Sequence, residues 1–332
     1  MNTSRRRIAG LLALSLFATT GLTGVPAAAQ GAWPGDRPIT WVVPYPPGGT
    51  TDILGRAIAL RLGTSLGATV IVDNKAGATG VIGSAFVAKA APDGHTLLGT
   101  SIGPQAIVPS LLAKMPYDPV KAFEPIVLIG TIPHVLIVGN AQPFKTVADL
   151  VAAAKAEPGA ISFASGGSGT ILQMQGELLR LQTGGTRMTH VPYKGDTPAI
   201  QDVLAGHATF MFAPVAAALP HIQSGRLRAL AVTSASRLKA MAATPTMGEA
   251  GFKDFVVEQW QAAYAPAGTP AAVVQRLNTD IVRILKDAEV VAMADKLGVS
   301  LVGGTPAQLA DTQKSDLAKW ARVIKDADIK AD

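Results

Sequence analysis

Trp41 to Leu62 reads WVVPYPPGGTTDILGRAIALRL, and this stretch decides how the rest of the chain is read. Trp41, Val42 and Val43 are apolar and largely β-branched, the composition of a short buried strand. Pro44, Tyr45, Pro46 and Pro47 cannot extend it, because three of the four lack a backbone N–H. Gly48 and Gly49 open backbone conformations closed to other residues. Thr50, Thr51 or Asp52 can cap a helix in which Leu54, Ile58 and Leu62 recur every four residues, with Ile53 and Ala57 beside them. Strand, glycine turn and helix start in succession aim several N–H groups and a positive dipole end at one point. That makes an anion site without a basic side chain. The same pattern also describes a βα turn that only connects, and the stretch alone leaves both readings open.

Working outward, Ala68–Val72 reads as a second strand and Thr96–Thr100 as a third, with a polar βα loop at Ser101–Gln105. Between them Gly77, Gly80 and Gly83 have the wrong spacing for a dinucleotide fingerprint, and small residues there suit close packing of a helix around Ser84–Ala90. Ile126–Ile129 and Val135–Val138 are strand-like, and Val147–Ala156 is a helix stopped by Pro158-Gly159. The opening pattern then recurs: strand Ile161–Phe163, hydroxyl-rich loop Ser165–Thr170, helix Leu172–Leu181. His190–Pro198 leads into a helix carrying Ile200, Val203 and Leu204, for which Thr197-Pro198 reads as cap and early helical residue. Phe210–Phe212 and Ala229–Thr233 are strands, and Glu258–Ala265 reads as a strand crossing back toward the first block. Thr269-Pro270 and Thr305-Pro306 are cap-plus-proline starts of C-terminal helices. Alternating strands and helices in two blocks predict two α/β lobes, whose strand-end loops face a shared cleft. Lobe 1 is expected to take residues 30–130 with 259–332, and lobe 2 residues 131–258.

The chain has 332 residues, 48% of them hydrophobic and 16% charged, enough for a substantial core. Arg5-Arg6-Arg7, an apolar run from Ile8 to Val25 and Ala27-Ala28-Ala29 form the three parts of a signal peptide spanning residues 1–29. The mature chain is expected to begin at Gln30, and Ser4-Arg5-Arg6 leaves both the general and the twin-arginine export routes open. No later run is long and apolar enough for a membrane span, Pro125–Gly139 being broken by Pro133 and His134. Export without a second anchor implies the periplasm of a Gram-negative cell. With no cysteine there is no lipid attachment site, disulfide or thiolate metal site. Losing three signal arginines takes the formal charge from +6 to +3, too little to argue for nucleic acid.

Catalytic chemistry is hard to find. The five histidines, His95, His134, His190, His207 and His221, are scattered and read as surface or turn residues, with no chelating pair. Gly166-Gly167-Ser168-Gly169-Thr170 misses the nucleophile elbow by one glycine, and no acid and histidine follow in persuasive order. Asp52, Asp196 and Asp202 lie where helix capping explains them. There is no phosphate-loop motif, so neither cofactor nor metal is expected and no enzyme is predicted.

With those loops in view, the chain resembles the Bug family of periplasmic solute receptors, the binding components of tripartite tricarboxylate transporters. Val43–Asp52 resembles its V-P-aromatic-x-x-G-G-x-x-D signature, with Arg56 in place. Asn74–Gly83 is similar to N-K/R-x-G-A-x-G-x-x-G, and Ala91–Leu97 to A-P-D-G-Y/H-T-L. Ser165–Thr170 resembles S-x-G-x-G-S/T, with Glu177 on the following helix. Val191–Gly195 with Pro198, Asp202 and Gly206 resembles V-P-Y-K/R-G-x-x-P…D…G, and Pro245–Met247 and Ala265–Pro270 complete the series. The match runs over essentially the whole mature chain. One departure is Gln173, where the family usually carries His.

The resemblance implies a two-lobed α/β periplasmic binding protein of type II with its ligand cleft between the lobes. Such a receptor closes on a small organic carboxylate, held by loop N–H groups, hydroxyls and waters, and delivers it to membrane permease subunits. A monomer is expected. The residues expected to bind ligand are Tyr45, Pro46, Gly48, Gly49, Thr50, Asp52 and Ser101 from one lobe. The other contributes Ser165, Gly167, Ser168, Gly169, Thr170, Tyr193, Gly195, Asp196 and Ala213. Tyr45 reads either as a lid over the ligand body or as a turn residue, and Lys194 either as a ligand contact or as a solvated charge. The alternatives are a subunit presenting ligand to a membrane kinase and, from another class, an exported carboxylic-ester hydrolase.

Overall fold

The computed structural model describes residues 33–330, so the signal peptide expected over residues 1–29 lies outside the described residues. β1 (Ile39–Val43) is the buried strand that the opening stretch predicts. Its Trp41 is fully buried against Gly55 and Gly99, where a Cβ would collide with the indole. Two glycines therefore let helix and neighbouring strand close around the largest side chain of this core.

The first block continues with α1 (Thr50–Leu66), β2 (Val70–Asn74), α2 (Val81–Ala88), β3 (Thr96–Ser101) and β4 (Phe123–Ile132). The second holds β5 (His134–Gly139), α3 (Val147–Ala156), β6 (Ser162–Ser165), α4 (Ile171–Gln182), β7 (Thr189–Pro192), α5 (Asp196–Ala205), β8 (Phe210–Pro214), α6 (Val215–Gln223) and β9 (Leu227–Val232). The chain ends with β10 (Gln259–Pro266), α7 (Ala271–Ile284), α8 (Ala288–Leu297), β11 (Ser300–Leu301) and α9 (Pro306–Asp326).

These strands form two sheets, ordered β11-β4-β10-β3-β1-β2 and β7-β6-β8-β5-β9. Each contains three parallel strands, β2-β1-β3 in one and β7-β6-β8 in the other, followed by antiparallel partners. The fold is thus two α/β lobes with the same internal order. β1 corresponds to β6 and α1 to α4, so the loops after β1 and β6 occupy equivalent places.

The chain crosses between sheets twice. β4 passes into β5 through Pro133 alone, and the return runs from β9 to β10. The two connections are fastened to each other: the His134 N–H donates to Thr233 Oγ1 at 3.0 Å, Thr233 N–H to the His134 carbonyl at 2.9 Å and Val257 N–H to the Thr233 carbonyl at 3.0 Å. His134 is fully buried, and desolvation drives its pKa down to about 3, so it is neutral. Gln175 on α4 donates one amide N–H to His134 Nδ1 at 3.0 Å and to the Val257 carbonyl at 3.1 Å. The reading of the histidines as surface or turn residues is therefore corrected for His134, buried in β5, and for His190, which lies in β7, whereas His95 stands in the bend before β3.

Several helix starts also differ from the sequence reading. α1 is capped by Gly49 in an extended conformation with no side-chain bond, rather than by Thr50, Thr51 or Asp52. α5 begins directly at Asp196 after Gly195, which places Thr197 inside the helix instead of at its cap. α7 follows Pro270, while the Thr269 hydroxyl donates to the Pro266 carbonyl. Thr305 caps α9 as expected, in a reciprocal box with Gln308. Helices α6 and α8 were not anticipated, and α6 contains Pro220 within its length. Among the described residues no helix is long and apolar enough to cross a membrane.

Candidate functional site

A cavity of about 560 Å³ lies between the strand-end loops of the two lobes. From the first lobe it is lined by Tyr45, Pro46, Pro47, Gly49, Thr50, Thr51, Thr79, Ser101, Ile102, Gly103 and Ile132, together with Gln259 and Leu297. From the second it is lined by Gly169, Thr170, Ile171, Leu172, Gly195, Asp196 and Pro214. The lining contains no Lys, Arg or His. Three helices begin on it: α1 at Thr50, α4 at Ile171 and α5 at Asp196. Their first-turn N–H groups have no acceptor within their own helices.

The turn after β1 is held from behind. Gly48, at φ 88°, adopts the left-handed conformation that makes glycine necessary, whereas Gly49 at φ −77° does not. Asp52 is 3% exposed and points away from the cavity. It accepts from the Gly48 N–H at 2.9 Å, from Arg56 Nε at 3.1 Å and from Asn74 Nδ2 at 2.9 Å. Burial opposes its charge, but the bonds from Arg56, Gly48 and Asn74 outweigh burial and hold its carboxyl below the ordinary range. Tyr45 carries its ring over Gly80 and Gly103, and its hydroxyl is hydrogen-bonded to Ser101 Oγ at 2.7 Å. Burial pushes that phenol up to about 12, so Tyr45 is a neutral polar wall.

The loop after β6 is bonded within itself. The Ser165 hydroxyl donates to the Gly167 carbonyl at 3.1 Å and accepts from the Gly167 N–H at 3.2 Å. Its oxygen also lies 2.7 Å from His190 Nε2, whose ring stacks on Phe163 at 4.9 Å. The sequence reading found no nucleophile–base pair. The structure brings this serine and histidine together at 2.7 Å, with Ser165 fully buried and outside the cavity lining. Thr170 Oγ1 donates to the Gly167 carbonyl at 2.7 Å. Gly169 N–H is taken by Gln173 Oε1 at 2.8 Å, so the residue that departs from the family pattern fastens the loop.

Of the residues expected to bind ligand, the structure brings Tyr45, Pro46, Gly49, Thr50, Ser101, Gly169, Thr170, Gly195 and Asp196 together around the cavity. Gly48, Asp52, Ser165, Gly167, Ser168, Tyr193 and Ala213 are not in its lining. Gly48, Asp52 and Ser165 shape the loops as described. The Tyr193 hydroxyl is turned to Asp202 at 2.6 Å, and Ala213 is fully buried in β8, leaving Pro214 on the wall. Besides Pro47, Ile171, Leu172 and Pro214, which adjoin predicted positions, sequence reasoning missed Thr51, Thr79, Ile102, Gly103, Ile132, Gln259 and Leu297. Thr51 stands inside the opening motif and donates to Gln261 at 2.8 Å on the returning strand. Ile102 and Gly103 stand in the polar loop Ser101–Gln105 and Thr79 in the Asn74–Gly83 motif, whereas Ile132, Gln259 and Leu297 carry no local signal and only tertiary structure gathers them.

Two α/β lobes with a cavity between their helix starts define a two-lobed solute-binding protein. Residues 54–329 match the family described as tripartite tricarboxylate transporter family receptor. The chain is 40% identical over 324 residues to a UPF0065 protein from the tcbD–tcbE intergenic region of Pseudomonas sp., covering 97% of this chain and 94% of that one. Rpa4515 of R. palustris, solved with adipate, superposes with a TM-score of 0.77 at 33% identity, over 90% of this chain and 99% of that one. The periplasmic binding protein BugD does so with a TM-score of 0.74 at 34% identity, over 89% and 98%. The chain belongs to the tripartite tricarboxylate transporter receptor family, and it is a solute-binding receptor. The family is one of receptors, and BugD is a periplasmic binding protein.

Proposed function

We propose that this receptor works in the periplasm as a monomer, captures a small organic carboxylate between its lobes and delivers it to membrane permease subunits. The observation that carries the reading is the cavity lining: helix N-termini and hydroxyls converge there without a basic side chain. Such an arrangement favours an anion through oriented N–H groups and helix dipoles. Adipate in a relative of the same fold is a ligand of that chemistry. The lobes are taken as residues 30–130 with 259–332 and residues 131–258, a division that sheet membership supports except at Thr131 and Ile132, which lie in β4 of the first sheet.

The test is a thermal-shift panel of mono-, di- and tricarboxylates against purified mature chain, with the corresponding primary amides as controls. A ligand at about 100 times its Kd stabilises by about 2.7 kcal/mol, a melting shift of several degrees. Carboxylates should shift the melt and their amides should not, and the ligand should be recovered chemically unaltered. A panel in which amides act as well as acids would overturn the reading.

A further inference from the structure

The cavity has an electrostatic imbalance that a plain anion site does not need. Its only ionisable lining groups are Tyr45, which is neutral, and Asp196. Asp196 is the first residue of α5, so its carboxylate offsets the positive end of its own helix. Unlike Asp52, it has no cation beside it and no hydrogen-bond donor among the described side chains. Lys194, two residues earlier, is exposed and outside the lining, and Arg56 is engaged by Asp52 and Asn74. Burial raises the pKa of Asp196. Gly166 of the same lobe lies so close that a Cβ there would meet Asp196 Oδ1, so this glycine makes room for the carboxylate.

The N-termini of α1 and α4 thus offer donors for an anion, while the start of α5 offers an unmatched acceptor. We propose that Asp196 receives a protonated nitrogen of the ligand, so that the cleft selects an amino-carboxylate over a dicarboxylate of the same length. The inference rests on the reading of this cavity as the carboxylate site. A dianion filling the same space would set its second carboxylate against Asp196. Like charges about 4 Å apart in a partly desolvated site repel strongly enough to cost on the order of 1000-fold in affinity. An ammonium in that place reverses the sign.

Chain-matched pairs test this directly: succinate with β-alanine, glutarate with 4-aminobutyrate, and adipate with 5-aminopentanoate, titrated calorimetrically at neutral pH. In at least one pair the amino acid should bind 10-fold or more tighter than the diacid. Asp196→Asn should lower the affinity of that amino acid by about 30-fold and raise that of its diacid, and Asp196→Ser should repeat the result. Both variants should melt close to wild type without ligand, because Asn and Ser are accepted at helix starts. Diacid preference in every pair, or an unchanged ratio in both variants, overturns the inference alone. Failure of every acid in both series to bind overturns the carboxylate reading, and the inference with it.

Discussion

The loops after β1 and β6 are topological equivalents built from the same materials, yet their hydrogen bonds are distributed in opposite ways. In the first, Asp52 reaches back to fix the turn through Gly48, and α1 starts without a side-chain cap. The helix N–H groups that follow are left facing the cavity. In the second, the N–H groups of Gly167, Gly169, Thr170 and Gln173 are all accepted inside the loop itself. Composition is therefore a poor guide to binding capacity. What decides it is whether a neighbouring side chain has already satisfied the donors. The first loop leaves its donors to an anion, and the second is a shaped wall that leaves only the first N–H groups of α4, at Ile171 and Leu172, for that purpose.

The largest effect expected from this contrast is at Gly49. A Cβ there meets only the Pro46 carbonyl at 3.9 Å and the backbone is not strained, so Gly49→Val should fold normally and only crowd the cavity. Bonds to a charged group are worth about 1.5–3 kcal/mol each, so losing one or two weakens ligand on the order of 10- to 1000-fold. An unchanged ligand-induced melting shift would make the first loop a connector.

Next is the anchor behind that loop. Asp52→Ala leaves Arg56, Asn74 and the Gly48 N–H without their shared acceptor, and should cost about 2–3 kcal/mol in chemical denaturation. Because the folded-state pKa of Asp52 is depressed, its contribution is present above the unfolded value of about 3.9. It is lost as pH falls through the folded value. Amide exchange at Gly48 should accelerate over that acid range in wild type, and Asp52→Asn should remove the transition.

Smaller effects are expected in the second loop. Gln173→Ala frees the Gly169 N–H, and should cost about 1–2 kcal/mol of stability with less than a 10-fold change in affinity. A 100-fold loss of affinity at unchanged stability would place Gln173 on the ligand. Thr170→Val should be mildest. Its hydroxyl proton already goes to the Gly167 carbonyl, so about 1 kcal/mol of stability is at stake and little ligand affinity.

Much of this architecture was legible because strand and helix periodicities, glycine turns and the return of β10 to the first sheet all leave local marks. The two equivalent loops were legible as motifs for the same reason. Which atoms face the cavity was not. Tyr193 stands in a recognised motif, but its hydroxyl is captured by Asp202 on the next helix. Asp52 looks like a cap and serves as an ion-paired anchor. His134 follows Pro133 at the break in an otherwise apolar run, and only the meeting of both crossings shows it to be buried. The start of α1 was misread because a glycine can hold the cap conformation with no side-chain partner. Helix α6 was hidden by its proline.

The clamped crossing has a thermodynamic consequence. Pro133 fixes one of the few torsions available between β4 and β5, and the outgoing and returning segments are bonded to each other through His134, Thr233 and Val257. Any rearrangement of one lobe against the other must pass through that pair of strands. Two short crossings bonded to each other leave fewer relative orientations of the lobes open than free linkers would, and so less orientational entropy to be lost when a solute arrives. A small molecule with few contacts to offer benefits most from a receptor whose disorder was already removed by folding.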